Sequence, residues 1–379
     1  MKVIVIGGGV VGTVLSLLLN MRGVSVTLID AGLQRPGYPL VHSKLLRFRE
    51  DIELAKVSEN IYRDLSRHLG MNVLHDIASI TIVKQDCYEG EIKDLLTIWK
   101  DAGVKTEVYF NASDIKDYGL KSVQSDEVYV VSNGGDHLVN MPKLMDHVRR
   151  SRDIVYINGK ASIKRNKQNI EVLVNGDRYV GDHVVIAAGA WNSIIMRNVD
   201  VKLPLLPYKC QAAAFLSSRV NGIVYDYVLD IYIRPLTPML SSLLGRFGLS
   251  IIAAGDGNTE IKEPGTNGYI DEGFLSELMS KLRLRVGRVL RVGARFGYCE
   301  GTPDMRPVIV PLLKDRLYLI GGFNGYGAEV GPALALAVTE QLLNGTWPRY
   351  AEPYLVSRFG NAQDFVWDIN KEAHELCVD

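Results

Sequence analysis

The sequence predicts an α/β fold that opens with a Rossmann-like βαβ unit, and three observations carry this. A β-branched run, VIVI at 3–6, leads straight into the glycine-rich turn GGGVVG at 7–12. Apolar residues then recur at helical spacing over 13–22, with Gly23 as the stop. A second strand pattern, VSVTLI at 24–29, ends on Asp30. A strand without polar alternation suits a parallel sheet covered on both faces.

Each piece of that unit has a physical task. Gly7 permits the tight turn, Gly9 lets the backbone approach a pyrophosphate, and Gly12 lets the helix pack closely on the strand. Val10 and Val11 open the helix, whose free N–H groups and dipole favour a diphosphate. Asp30, with Ala31 behind it, stands where a carboxylate accepts hydrogen bonds from a ribose diol and repels a 2′-phosphate. The unit therefore predicts a bound dinucleotide other than NADP. The uncharged run over 3–21 superficially resembles a signal peptide, but only the βαβ unit explains its glycine spacing.

Composition narrows the function classes. The 379 residues are too many for one ordinary core, so two lobes are expected. Lys+Arg and Asp+Glu balance at 43 each, which argues against nucleic acid as a partner. No stretch reaches the 18 or so apolar residues needed to span a bilayer. Cys87, Cys210, Cys299 and Cys377 lie far apart, so neither a disulfide framework nor a zinc site is expected, and a cytoplasmic setting is.

Beyond Asp30 there is no regular train of βα units. Turn residues fill 31–46, a helical pattern covers 50–69, and strand patterns follow at 78–84, 211–216 and 249–254. Seven further segments occur in order: SKLLR at 43–47, NMPKL at 140–144, GKA at 159–161, DHVVIAAGAW at 182–191, IYIRP at 231–235, GYCEGTPD at 297–304 and YLIGGFNGYG at 318–327. Together with the opening unit they resemble the D-amino-acid oxidase-like flavoprotein superfamily, in its glycine/sarcosine oxidase and dye-linked proline dehydrogenase branch.

That resemblance implies FAD, held without a covalent link. It implies Ser43 and Lys44 against the flavin, Ala161 beside the adenine, and Ala188, Gly189 and Trp191 in the turn after a sheet strand. It also implies that Gly322, Asn324, Gly325, Tyr326 and Gly327 lead into a helix at 332–343, whose N-terminus stabilises negative charge on a reduced flavin. The expected architecture is a Rossmann-like FAD-binding domain from 1–83, 137–203 and 300–379. A discontinuous α+β substrate domain on a mixed or antiparallel sheet would come from 84–136 and 204–299, with prolines 204 and 207 at one crossing.

The implied chemistry is oxidation of a C–N bond in a small amino acid or secondary amine (proline-, sarcosine- or glycine-like), with hydride transfer to flavin N5. Arg47 matches an arginine that binds carboxylate, and Tyr232 matches a tyrosine on the substrate strand. Cys299 stands where arginine-anchored oxidases have their arginine, and two positions past a covalent flavin link. Tyr326 would cover the flavin. Glu329 would repel an α-carboxylate unless protonated or paired. Arg234 shares the face of Tyr232 if the strand is regular, and His42 sits in a polar turn. Two other classes remain: an electron-relay or non-catalytic subunit of a larger dehydrogenase complex, and a 2-hydroxy acid dehydrogenase. The electron acceptor (oxygen, a quinone or a partner protein) and any homo- or hetero-oligomeric state are not encoded in these motifs.

Overall fold

The β-branched run at the start becomes strand Lys2–Ile6, the centre of the sheet that carries the glycine turn. The structure is a computed structural model describing residues 1–379 except 35–36, 43–45, 166–169, 200, 202, 266–267, 315, 361–375 and 378–379. Among the described residues, six strands lie in the order Val308–Leu312, Leu317–Gly321, His183–Ile186, Lys2–Ile6, Ser25–Asp30 and Ile154–Asn158. All neighbours are parallel except the first pair. Ile6 stands level with both Ile29 and Ile186, so the strand ends that carry the glycine turn, Asp30 and Ala187 lie side by side.

Both faces of this sheet are covered, which explains the unbroken apolar run. On one face, helix Val10–Asn20 buries Val14, Leu15 and Leu19 completely. Each such side chain contributes roughly 1.5–3 kcal/mol. Helix Gly331–Asn344 packs beside it, and a Cβ on Gly331 would lie 2.7 Å from Val11 Cγ2. The other face carries a three-stranded antiparallel sheet, Ala161–Arg165, Ile170–Val174 and Asp177–Tyr179, whose Ile163 and Val172 pack with Ile4, Ile6 and Ile29.

A second sheet has nine strands among the described residues. It runs from Val289–Gly301 through Leu206–Ser218, Leu249–Glu260, Ile231–Pro235, Ile223–Asp226, Leu74–Lys84 and Glu127–Val139 to Leu40–Val41, and Glu107–Tyr109 also pairs with Glu127–Val139. Its pairs are antiparallel apart from Ile223–Asp226 beside Leu74–Lys84. Strand Leu74–Lys84 thus sits in this sheet, although sequence patterning puts it mostly before the expected lobe boundary at 83/84. Helix Glu272–Val286 covers one face with Leu275, Leu278, Leu282 and Val286. Asp271 caps it, its Oδ1 accepting from the N–H groups of Gly273 and Phe274. Near its end, buried Arg285 donates to Asp226 Oδ2 at 2.7 Å and to both Glu127 oxygens at 2.8 and 2.9 Å.

The cysteine expectation is corrected. Cys87 and Cys377 form a disulfide, 290 residues apart in sequence. Spacing along the chain cannot show such a pair, and disulfides persist mainly in oxidising surroundings, so cysteine usage gives no support to a reducing cytoplasm. Among the described residues no helix is long and apolar enough to cross a membrane.

Candidate functional site

The three glycines behave as separate parts of one turn. Gly7 has φ +111°, and a Cβ there would meet Ala187 O at 2.3 Å. A Cβ on Gly12 would lie 1.8 Å from Gly7 O, so helix and turn touch backbone to backbone. At Gly9, which precedes the helix, a Cβ would meet nothing within 4 Å. That open side looks into a cavity of about 500 Å³.

The cavity gathers the predicted segments from distant parts of the chain. At one end stand Asp30, Ala31 and Ala161, with Gly159 and Lys160. Gly7, Gly9, Val10 and Val11 form the middle. Ala188, Gly189 and Trp191, together with Asn324, Gly325 and Gly327, line it as well. Gly12, Gly322 and Tyr326 are not in its wall, and Ser43 and Lys44 lie outside the described residues.

The wall suits the dinucleotide the resemblance implies. Helix Val10–Asn20 begins at the cavity, where its first N–H groups can meet a diphosphate. Asp30 is buried; its Oδ1 accepts from Gly32 N at 3.1 Å and its Oδ2 from the Tyr156 hydroxyl at 3.0 Å, which orients the carboxylate. Arg149, with its cation over the Tyr156 ring, comes within 3.9 Å of Asp30. Neither Arg149 nor Tyr156 belongs to a motif, so sequence reading had no signal for them.

Glu300 lies within the GYCEGTPD segment at 297–304. It is buried in the cavity wall, and its Oε2 accepts from Asn192 Nδ2 at 2.9 Å and Gly322 N at 3.0 Å. Oε1 has no hydrogen-bond partner among the described residues. Burial pushes its carboxyl up to about 8, against the smaller opposing effect of those two donors. An unfolded glutamate ionises near 4.5, so between about 4.5 and about 8 the unfolded chain has released a proton that the folded chain keeps. Stability therefore falls as pH rises through that window, by at most about 5 kcal/mol. Glu300→Gln is expected to flatten this dependence in unfolding measurements between pH 5 and 8; an unchanged slope would sink the assignment.

A second cluster forms beside the nine-stranded sheet. Tyr225 stands directly opposite Tyr232, and Arg234 follows on the same face, away from helix Glu272–Val286. The Tyr225 ring packs edge-on against His42 at 5.2 Å, and Tyr326 meets the same imidazole at 6.2 Å. His42 Nε2 lies 3.0 Å from Glu329 Oε2, with both side chains buried. Burial, reinforced by the charges of Asp136 and Asp51, holds the Glu329 carboxyl well above the usual carboxylate range. Burial first, then Asp136 and Glu329, likewise keeps the Tyr225 phenol neutral. The Tyr225 hydroxyl and Glu329 Oε1 are buried without hydrogen-bond partners among the described residues.

Three sequence candidates, Tyr232, Tyr326 and Glu329, thus converge around His42 and Tyr225. Nothing in the polar turn around His42 announces a partner 287 positions away. Arg47 is elsewhere: 41% exposed and 3.0 Å from Glu91. Cys299 lines the cavity beside the glycine turn, and Arg234 donates to Tyr38 O at 3.0 Å. Among the described residues no group of three or more His, Cys, Asp or Glu side chains could hold a metal ion.

Comparison with known proteins agrees with this geometry. The chain is 24% identical to a glycine oxidase of Pseudomonas aeruginosa, covering 92% of this chain and 96% of that protein. Its fold matches L-proline dehydrogenase from P. horikoshii with a TM-score of 0.80 at 21% identity, covering 94% and 97% of the two chains. Glycine oxidase from Geobacillus kaustophilus matches at 0.76 and 17% identity, covering 94% and 99%. The model of the family described as DAO, FAD dependent oxidoreductase, matches residues 2–341, nearly the whole described chain, and the protein belongs to that family.

Proposed function

We propose that this FAD-dependent oxidoreductase oxidises the C–N bond of a small amino acid or secondary amine of the proline, sarcosine or glycine type. The observation that carries this is the convergence of Tyr225, Tyr232, His42, Tyr326 and Glu329 next to the segment Asn324–Gly327, part of which lines the cofactor cavity. The relative named glycine oxidase, alike over nearly its whole length, supports the amine class. Flavin held by Gly7–Val11 and Asp30 supplies a two-electron hydride acceptor. The chain's own part is to bind the amine in neutral form, align its C–H bond and exclude water.

In this scheme Glu329 and the Tyr225 hydroxyl offer buried polar atoms for the amine. A Glu329 held neutral does not repel a substrate carboxylate. Arg234, on the Tyr232 face and close enough to influence Tyr225, takes the carboxylate in place of Arg47. Arg234→Met should raise KM for a carboxylated substrate about 10- to 100-fold, with kcat little changed, since a hydrogen bond to a charged group is worth ~1.5–3 kcal/mol. A larger effect from Arg47→Met would return that role to Arg47. Cys299 meets Cys210 and forms no link to flavin in this scheme, so FAD should be released by denaturation.

The direct test is an anaerobic screen. Bleaching of the yellow protein by L-proline, sarcosine, glycine or a D-amino acid is expected, and no bleaching across a broad amine panel would overturn the proposal. A second reading, an electron-relay subunit, is favoured by one observation: Arg47 pairs with Glu91 and Cys299 stands in place of the other expected arginine, which leaves no arginine in the cavity wall among the described residues. Turnover that appears only with a co-purifying partner would select it and identify the acceptor.

A further inference from the structure

Strand geometry brings two thiols together at the edge of the cofactor cavity. Strands Leu206–Ser218 and Val289–Gly301 are antiparallel neighbours, with Cys210 opposite Gly297 and Tyr208 opposite Cys299. Side chains alternate with period two, so Cys299, two residues beyond Gly297, points to the same face as Cys210. Gly297 has no side chain to fill the position facing Cys210. The Cys210 thiol therefore leans along the diagonal, and the two sulfurs stand 2.9 Å apart in hydrogen-bond contact. Both residues are half-buried and neither is in a disulfide. Cys299 is also part of the cavity wall, one residue before Glu300.

We propose that Cys210 and Cys299 form a redox-active dithiol, a site for thiol–disulfide exchange with small disulfides. This goes beyond the amine reading and does not depend on it. Cys299, at the cavity surface, attacks as a thiolate one sulfur of an external disulfide R–S–S–R. A Cys299–S–S–R bond forms, and the external S–S bond breaks to release RS⁻. Cys210, already in contact, then attacks the Cys299 sulfur and displaces the second RS⁻. Two protein thiols are oxidised to one disulfide, one external disulfide is reduced to two thiols, and the two protons leave with them. The result staples the two strands beside the cavity, and a small thiol in excess reverses it.

The pair differs from Cys87–Cys377, which is already bonded. It also differs from a structural thiol, because a resolving partner stands within contact of the reacting one. Neighbours that share a strand pair but lack this diagonal contact would hold the mixed disulfide.

The test uses the flavin-loaded protein and oxidised glutathione, read by thiol titration, intact mass and peptide mapping. The two reduced cysteines per chain should fall to none. No glutathione should be retained, and the peptide carrying Cys210 should be joined to the one carrying Cys299. Reduced glutathione in excess should restore both thiols. Cys210→Ser should instead retain one glutathione on Cys299, because the resolving thiol is gone; Cys210→Ala, which removes any hydroxyl contact, should do the same. Two thiols surviving excess oxidised glutathione, or glutathione retained on the wild-type chain without a Cys210–Cys299 link, would overturn the proposal.

Discussion

Gly9→Val is expected to yield a folded protein that does not retain FAD, whereas Gly12→Ala is expected to lose both the flavin and stability. The difference follows from what surrounds each position. At Gly9 an added side chain meets no protein atom within 4 Å and projects into the space where the diphosphate must come against the helix N-terminus. The fold therefore has no reason to change, and only binding suffers. At Gly12 the first added carbon would lie 1.8 Å from Gly7 O, so the helix must move away from the turn. Overpacking of this kind costs roughly 1–3 kcal/mol of stability. For Gly9→Val a flavin affinity loss of at least about 100-fold is expected, which corresponds to ~2.8 kcal/mol. The measurement is flavin content after gel filtration together with thermal unfolding of both variants. Retained flavin in Gly9→Val, or equal loss of stability in both, would contradict the assignment of the turn.

Removing the charge of Arg285 should have the largest effect on folding. Arg285 is fully buried, and its Nε, Nη1 and Nη2 all donate: to Asp226, to both Glu127 oxygens and to Lys121 O. This cation ties helix Glu272–Val286 to strands Ile223–Asp226 and Glu127–Val139. Burial pushes Glu127 up, but hydrogen bonds from Arg285 and Tyr129 together outweigh it and hold the carboxyl below the usual range, while for Asp226 burial outweighs the arginine's attraction and raises the carboxyl. Arg285→Met leaves two carboxylates buried without their partner, a change that costs about 3–5 kcal/mol. Urea unfolding measures this directly, and a loss under 1 kcal/mol would show that the carboxylates find other partners. The triple change Arg285→Met, Asp226→Asn, Glu127→Gln should recover most of the loss, because the uncompensated charge goes with the cation.

The opening unit was the most legible part of the chain. The expected helix over 13–22 is Val10–Asn20, and the second strand ends at Asp30 as the pattern indicates. The later helices at 50–69 and 332–343 appear as Arg49–His68 and Gly331–Asn344. Such elements announce themselves because burial of one face imposes a period on neighbouring residues. Contacts between elements leave no such mark. Neither the Cys87–Cys377 bond, the Glu329–His42 pair nor the three partners of Arg285 could be read from spacing, since each joins residues far apart in the chain. Glu300 was missed for a different reason: a glutamate inside a recognised motif looks like any other polar residue until its burial is known.

The interleaving of the six-stranded sheet sets a constraint on biosynthesis. Strand Lys2–Ile6 finds its first neighbour within 30 residues, but the other edge waits for His183–Ile186. The sheet is not complete on that side until Leu317–Gly321 and its partner Val308–Leu312 have been made. A ribosome-bound chain that has not yet reached His183 would display a row of unpaired backbone groups on a strand whose last four residues are all apolar, a template for association with other chains. Folding of the six-stranded layer must then follow, rather than accompany, most of translation. Neither layer can be excised as one contiguous fragment for separate expression.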